Sequence, residues 1–431
     1  MHPRIPSMIM NLPLELLQLI FQRLTLMDNL MNCRATCRSW RKVADAVFTS
    51  KLPLMLLSLS PPKKPHSRRF IRKFKSDEPN LASLSAPWSN DDESSTVLTE
   101  TWPQSIDPSD IIRVQSVQGW LMFNKFHHLI EEDQTFSELS FFNPFSRARF
   151  KLPWLFLFSG TPRHYQVRVV FNSAPPGSEE FVVVFLCLFS YKDPENVKQR
   201  LAFIKFKQGS WIEIKSIGTN EIFRDIAVDD DDKLYGLTFK YNTSVVFMLT
   251  LGIDHDDVVE RLVMKNSIKD TLVGSDILTH KYYKRRHQLA MDTSTGELFL
   301  VRHEMDGDGA AGSRCYESRR TKGFDVFKLE RSSVRWCEVF DIGDCFLLWD
   351  YTRVSFVSAK GLTLPEKFKG GNCILFCHAN TLWNSRGKGR FQDHDMGVFC
   401  LADRTITHFP ISSSLPFSYQ NMWFSPAPML N

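Results

Sequence analysis

Glu138-Leu139-Ser140-Phe141-Phe142 sets polar against apolar side chains, and the following Asn143-Pro144 cannot extend a strand because proline has no amide hydrogen to give to a ladder. A period of two closed by a turn signal is the mark of a half-buried β-strand. The same texture recurs on both sides. Upstream stands Gly119-Trp120-Leu121-Met122-Phe123, and downstream come Gln166 to Phe171, Lys233-Leu234-Tyr235-Gly236-Leu237 after the acidic turn Asp229 to Asp232, and Gly296-Glu297-Leu298-Phe299-Leu300-Val301. The run Phe181 to Phe189 is apolar throughout, as in a strand covered on both faces. Many short strands with almost no helical pattern between them predict an antiparallel β domain from about residue 111 to residue 431. Two faint echoes favour a propeller over a sandwich or barrel. Trp211-Ile212-Glu213-Ile214 is matched by Trp336-Cys337-Glu338-Val339, and Asp232-Lys233-Leu234-Tyr235 by Gly296-Glu297-Leu298-Phe299. About six units of roughly 40–60 residues suit four-stranded blades, so the expectation is a β-propeller of about six blades.

The first 50 residues read differently. Leu16, Ile20 and Leu24 recur at i, i+4 and i+8 with Leu17 and Phe21 beside them, which is a wide helical stripe. Asn11 can cap this helix and Pro13 sits near its start, where a missing amide hydrogen costs nothing. Thr25 with Asp28 resembles a capping box that opens a second helix through Leu30, Cys33 and Cys37, and a third carries Trp40, Val43, Ala44 and Val47. Three helices in so short a span cannot bury every apolar face, so one side is expected to await a partner. Leu17, Leu24, Cys33, Cys37 and Val43 are the expected internal core. Between the two textures, residues 51–110 predict a basic strand and a mobile Ser/Asp/Pro-rich loop, which can contribute to the first blade. The fold class is therefore α+β and multidomain: helices over 1–50, the connecting stretch, then the β domain.

The chain has 431 residues, with 53 lysines and arginines against 48 acidic residues and a net charge of +5. Residues 1–75 hold 14 basic and 3 acidic residues, leaving 39 basic against 45 acidic in the remainder. A strongly basic start thus precedes a mildly acidic body. Apolar residues at 43% and 35 phenylalanines exclude wholesale disorder and supply ample aromatic core. The nine cysteines are odd in number and mostly lie in apolar runs, which predicts free thiols in a reduced, intracellular setting. No secretory leader and no apolar run long enough to span a bilayer as a helix is evident, so no membrane partner is expected.

Catalytic and cofactor motifs fare poorly. Gly307-Asp308-Gly309-Ala310-Ala311-Gly312 fits the spacing of a dinucleotide loop, but no helical stripe follows it, and a loop is the better reading. Cys33/Cys37 and Cys373/Cys377, the latter beside His378, lack the second pair of ligands that structural zinc requires. His127-His128 before Glu131-Glu132-Asp133, and Asp393-His394-Asp395, read as solvated loop groups. No G-x-S-x-G, H-E-x-x-H or Walker loop occurs. The expectation is a chain with no catalytic residue, no metal and no cofactor. Lys63, Lys64, Arg68, Arg69, Arg72 and Lys73 form either the charged face of a strand or a nuclear-import patch. Nucleic-acid binding is not expected, because the body is acidic and no reading motif accompanies the patch.

Residues 11–48 resemble an F-box. The opening Leu12-Pro13-x-Glu15-Leu16-Leu17, the stripe Ile20-Phe21-x-x-Leu24 and the turn Cys37-Arg38-Ser39-Trp40 match it in order and spacing. The resemblance implies docking on a Skp-family adaptor, and through it on a cullin–RING ubiquitin ligase, with Leu12, Pro13, Leu16, Ile20, Phe21, Leu30 and Trp40 as the adaptor-binding set. The remainder is similar to the large C-terminal domain of plant F-box proteins related to the kelch type. The likeness rests on Gly119-Trp120-Leu121, on Phe142-Asn143-Pro144-Phe145-Ser146-Arg147 ending at Leu152-Pro153, and on Gly397-Val398-Phe399 with Asp403-Arg404-Thr405-Ile406. Strict kelch repeats would carry a glycine pair in each blade, and only Gly370-Gly371 forms one. The implied role is the substrate-recognition subunit of a Skp–cullin–F-box ligase in the nucleus, the cytoplasm or both, acting on an undefined protein substrate. The competing expectation is an interaction or regulatory protein that uses the docking helices without a ligase role. A nucleotide-binding enzyme is the remote third.

Overall fold

The computed structural model describes residues 12–22, 33, 36–50, 54–58, 81–85, 98–101, most of 111–262, most of 285–409, and 422–424. Two helices, α1 (Leu14–Gln22) and α2 (Arg38–Ser50), precede a run of strands that assort into six sheets. Sheet I joins Leu54–Ser58, Leu81–Ser85 and Leu98–Thr101 to the C-terminal strand Met422–Phe424. Sheet II holds Ile111–Val117, Trp120–Leu129 and Gln134–Phe142, with Arg149–Lys151 and Leu155–Ser159 sharing one edge of the last. Sheet III runs His164–Phe171, Val182–Ser190, Lys198–Lys205 and Ile212–Glu213. Sheet IV runs Asp225–Val228, Lys233–Lys240, Thr243–Thr250 and Val259–Leu262, and sheet V runs Arg285–Asp292, Glu297–Met305, Thr321–Glu330 and Arg335–Val339. Sheet VI places Val354–Ser358 at its edge, then Cys345–Trp349, Cys373–Trp383, Gly389–Cys400 and Ile406–His408.

This is a β-propeller preceded by a helical N-terminus. The inner strands approach one another in chain order: His164–Phe171 lies against Asp225–Val228, that strand against Arg285–Asp292, and that against Val354–Ser358. Met422–Phe424 approaches Ile111–Val117, so the chain's last described strand is the edge of sheet I that faces sheet II. Two expectations are corrected. Of six sheets, four are plain four-stranded antiparallel blades; sheets II and VI are five-stranded, and VI contains a parallel pair, Cys345–Trp349 with Cys373–Trp383. The expectation of about six blades is thereby corrected to four regular four-stranded blades, with two five-stranded sheets beside them. Of three expected helices two are described in full; between them Cys33 and Thr36 are helical, while Leu24 and Leu30 lie outside the described residues. Three strands of sheet I come from residues 54–101, within the stretch read as a basic strand and loop that can contribute to the first blade.

Packing explains the sequence texture. Val182, Val184, Leu186 and Leu188 point into the cluster shared with sheet IV, while Val183, Phe185, Cys187 and Phe189 point into the cluster shared with sheet II. Alternation puts successive side chains on opposite faces, and both faces are covered, hence the unbroken apolar run. Similar layers join sheets IV and V around Tyr235, Leu300 and Trp336, and sheets V and VI around Phe324, Trp349 and Phe376. The two echoes occupy equivalent places. Trp211 flanks the outermost strand of sheet III and Trp336 lies in that of sheet V. Asp232 and Gly296 each end the turn from first to second strand, with φ of 58° and 69°. Both turns open on an aspartate whose Oδ1 accepts the amide two residues on, Asp229 from Asp231 and Asp292 from Ser294. Asx turns reward aspartate at that position, and the left-handed residue lets the chain reverse.

Candidate docking surface and other sites

The helices are built on one seam. Leu17 and Phe21 on α1 meet Val43, Ala44 and Val47 on α2, all buried, and the Phe21 ring stands edge-on to Trp40 at 5.4 Å between centroids. Residues four apart share a helix face, so 17 with 21 and 43 with 47 make two facing rows. Pro13 contributes its carbonyl to the first turn, accepting the Leu17 amide at 3.1 Å, and Glu15 sits where the helix dipole favours a negative charge. Leu16, Leu19 and Ile20, spaced i, i+3 and i+4, lie away from this seam at 47%, 56% and 48% exposure, with Leu14 exposed beside them. Among the described residues seven large apolar side chains are exposed, and four of them are on this one nine-residue helix. That concentration marks a surface built to be covered.

The expected adaptor-binding set is thereby sorted. Leu16 and Ile20 are exposed, Pro13 is exposed and Leu12 half-buried. Phe21 is corrected: it is turned into the helix seam, because its position four residues after Leu17 puts it on the face that α2 covers. Trp40 is half-buried against Phe21, and Leu30 lies outside the described residues. Leu17 and Val43 are core as expected, while Cys33 and Cys37 are half-buried. Leu19 and Leu14 were missed; the i+3 relation of Leu19 to Leu16 was the available signal. The basic set Lys63, Lys64, Arg68, Arg69, Arg72 and Lys73 lies outside the described residues.

Residues 307–312 lie outside the described residues, but the strands on either side of them, Glu297–Met305 and Thr321–Glu330, pair antiparallel. A dinucleotide site needs a parallel strand–helix–strand unit, and an antiparallel pair of flanking strands does not provide one. Cys377 is buried in the apolar layer of sheet VI, and burial pushes its thiol up, away from the thiolate a metal would need. Among the described residues no three metal-ligating side chains converge. His127 Nε2 meets Glu138 Oε2 at 3.0 Å and its ring stacks on Trp154 at 4.5 Å, while Glu138 also accepts from Lys151 and Trp154. Asp395, read as a solvated loop group, is corrected: it is buried in strand Gly389–Cys400, where it accepts the Thr321 amide and faces His408 Nδ1 at 3.0 Å.

A cavity of about 320 Å³ lies between sheets II and III, lined by Trp154, Phe156, Arg200, Trp211 and Glu213 among others. Two of its polar side chains, Trp211 and Arg200, reach across to the sheet II side. Trp211 Nε1 donates to Pro153 O at 2.8 Å, and Arg200 donates to Glu213 and to Leu157 O while its guanidinium lies 4.6 Å over the Phe156 ring. Buried polar groups also link the inner strands. Asp225 faces Arg168 Nε at 3.5 Å and accepts the Leu289 amide at 2.7 Å, which couples sheets III, IV and V. Asp325 of sheet V binds Arg302 at 2.8 Å and Arg404 of sheet VI at 2.8 Å.

A short helical module with an uncovered leucine-rich face thus precedes a propeller. Residues 9–49 match the F-box-like domain and residues 88–400 match the KIB1-4 beta-propeller. The chain belongs to the KIB1-4 β-propeller family. No curated protein matches it in sequence. Among solved structures it is similar to a protein from Lactobacillus plantarum, at 7% identity and a TM-score of 0.36 over 86% of this chain and 100% of that one. It is also similar to the β-propeller domain of the Trilobed protease from Pyrococcus furiosus, at 9% identity and a TM-score of 0.32 over 69% of each chain. A third is the GH93 α-L-arabinofuranosidase of Fusarium graminearum with arabinobiose, at 13% identity and a TM-score of 0.28 over 69% of this chain and 77% of that one.

Proposed function

We propose that this chain is the substrate-recognition subunit of a Skp–cullin–F-box ubiquitin ligase. Residues 1–50 dock on a Skp-family adaptor, and the propeller from about residue 111 holds a protein target. The observation that carries the reading is the exposed row Leu16, Leu19 and Ile20 on an F-box-like domain whose other face is already packed. Covering such a row removes apolar area from water and leaves the internal seam undisturbed. The chain itself supplies no catalytic group; it raises the effective concentration of a target beside the ligase's reactive centre. The basic run Lys63 to Lys73 acts as a nuclear-import patch, which a fluorescent fusion tests: neutralising the six basic residues should shift the fusion toward the cytoplasm.

The docking test is pull-down with a purified Skp-family adaptor. Wild type should bind, and Leu16→Asp with Ile20→Asp should abolish binding while the melting temperature is kept, because neither side chain is in the core. Failure of wild type to bind, or equal binding by the double variant, sinks the docking role. A reconstituted assay then separates ligase from non-ligase readings: a regulatory protein would bind the adaptor and leave ubiquitin transfer to every captured partner unchanged.

A further inference from the structure

Cys373 and Cys400 lie apart from the docking helix and, among the described residues, join no metal-ligating cluster. Cys373 opens the strand Cys373–Trp383 and Cys400 closes the strand Gly389–Cys400, and the two are direct cross-strand partners. The Leu401 amide donates to Asn372 O at 3.1 Å, and the Cys400 amide donates away from Cys373, to Thr405 O at 2.9 Å. The pair therefore occupies a non-hydrogen-bonded position of the ladder, where Cα atoms stand about 4.5 Å apart, within the range of about 4.4–6.8 Å that a disulfide spans. The sulfurs are already 3.2 Å apart. Cys377, four residues along the same strand, is about 13 Å from Cys373 at the rise of an extended chain and cannot compete.

The geometry points to Cys373 and Cys400 as a peroxide-oxidised dithiol, an oxidative modification site on the sixth sheet. Access and burial assign the order of events. Cys400 is half-buried and borders the exposed turn 402–405, whereas Cys373 is buried. The Cys400 thiolate attacks one peroxide oxygen, the O–O bond breaks, and the departing hydroxide takes up a proton to leave as water. Cys400 becomes a sulfenic acid. The Cys373 sulfur then attacks Cys400 Sγ, the S–O bond breaks, and hydroxide leaves with the Cys373 proton as a second water. Two thiols and one peroxide thus give one disulfide and two waters. Burial, then the hydrogen bond and charge of Cys400, hold the Cys373 thiol above its usual range, so Cys400 initiates and Cys373 resolves, giving up its proton as its sulfur attacks. The bond would close residues 373–400 into one ring and fix the start of the turn that brings Arg404 to Asp325 of sheet V.

The experiment uses the full chain, reduced, desalted, treated with hydrogen peroxide and alkylated. Mass spectrometry of the digest should show one peptide pair linking 373 to 400, lighter by two hydrogens and restored by dithiothreitol, and the oxidised chain should melt roughly 3–6 °C higher than the reduced one. In Cys373→Ser the sulfenic acid cannot be resolved, so dimedone should label Cys400; in Cys400→Ser, Cys373 should remain an alkylatable thiol only after unfolding. The proposal is overturned if both thiols of folded wild type survive peroxide, if Cys400 pairs with another cysteine, or if Cys373→Ser gives no dimedone adduct.

Discussion

Removing the carboxylate of Asp225 should cost more stability than its single small side chain suggests. Asp225 is 5% exposed and Arg168 is 9% exposed, so neither group has much water to fall back on. Asp225→Ala leaves the Leu289 amide without its acceptor, at about 1–3 kcal/mol for a buried donor. It also strips Arg168 of a carboxylate at 3.5 Å, and loss of one partner from a buried pair costs about 3–5 kcal/mol. Arg168 has further interactions and the separation is long, so the combined loss is set at about 3–5 kcal/mol. For a domain of roughly 300 residues that is a fall of about 5–8 °C in melting temperature. Asp225→Asn keeps an oxygen for Leu289 and loses only the charge, so it should fall by about 1–2 kcal/mol. Urea unfolding of the full chain followed by tryptophan fluorescence reads both. A loss under about 1 kcal/mol in Asp225→Ala, or equal losses in the two variants, would refute the idea that this carboxylate ties three sheets together.

Gly236→Ala should destabilise by about 1–3 kcal/mol, since a Cβ there would lie 2.5 Å from the buried Phe223 ring; Phe223→Leu in the same chain should recover part of it, as thermal melts will show. His303 is buried between Phe324 and Trp349, and burial, then the charge of Arg286, holds it far below its usual range. The unfolded chain therefore binds the extra proton first, and stability should fall as pH drops below about 6.5, by up to about 1.4 kcal/mol per pH unit. His303→Gln should flatten that slope in urea titrations at a series of pH values. For Asp325 burial alone would raise the carboxyl, but the hydrogen bonds and charges of Arg404 and Arg302 outweigh it and hold it low. Its contribution is present above the ordinary carboxylate range near 4 and lost as pH falls through the folded value. Asp325→Asn should thus lower stability at pH 7 and leave it little changed at pH 2.5.

The sequence by itself determined the two textures and their order. A stripe at 16, 17, 20 and 21 can only be a helix, and alternation at 138–142 with a proline stop can only be a strand, because backbone periodicity is fixed by local geometry. The echoes at Trp211 and Trp336, and at Asp232 and Gly296, were legible for the same local reason: equivalent turns need equivalent residues. Which face of a helix is inside is not local. Leu16 and Phe21 lie on one broad apolar stripe, and only the position of α2 buries Phe21 and leaves Leu16 in water. The same holds for Asp225, whose partners stand far away in sequence, and for Cys400, which lies 27 residues from the thiol it touches. Sheets II and VI kept their fifth strands hidden likewise, since pairing is chosen by what the neighbouring strand presents. Periodicity belongs to the chain, whereas burial and partnership belong to the packing of distant segments, and only the tertiary structure could assign them.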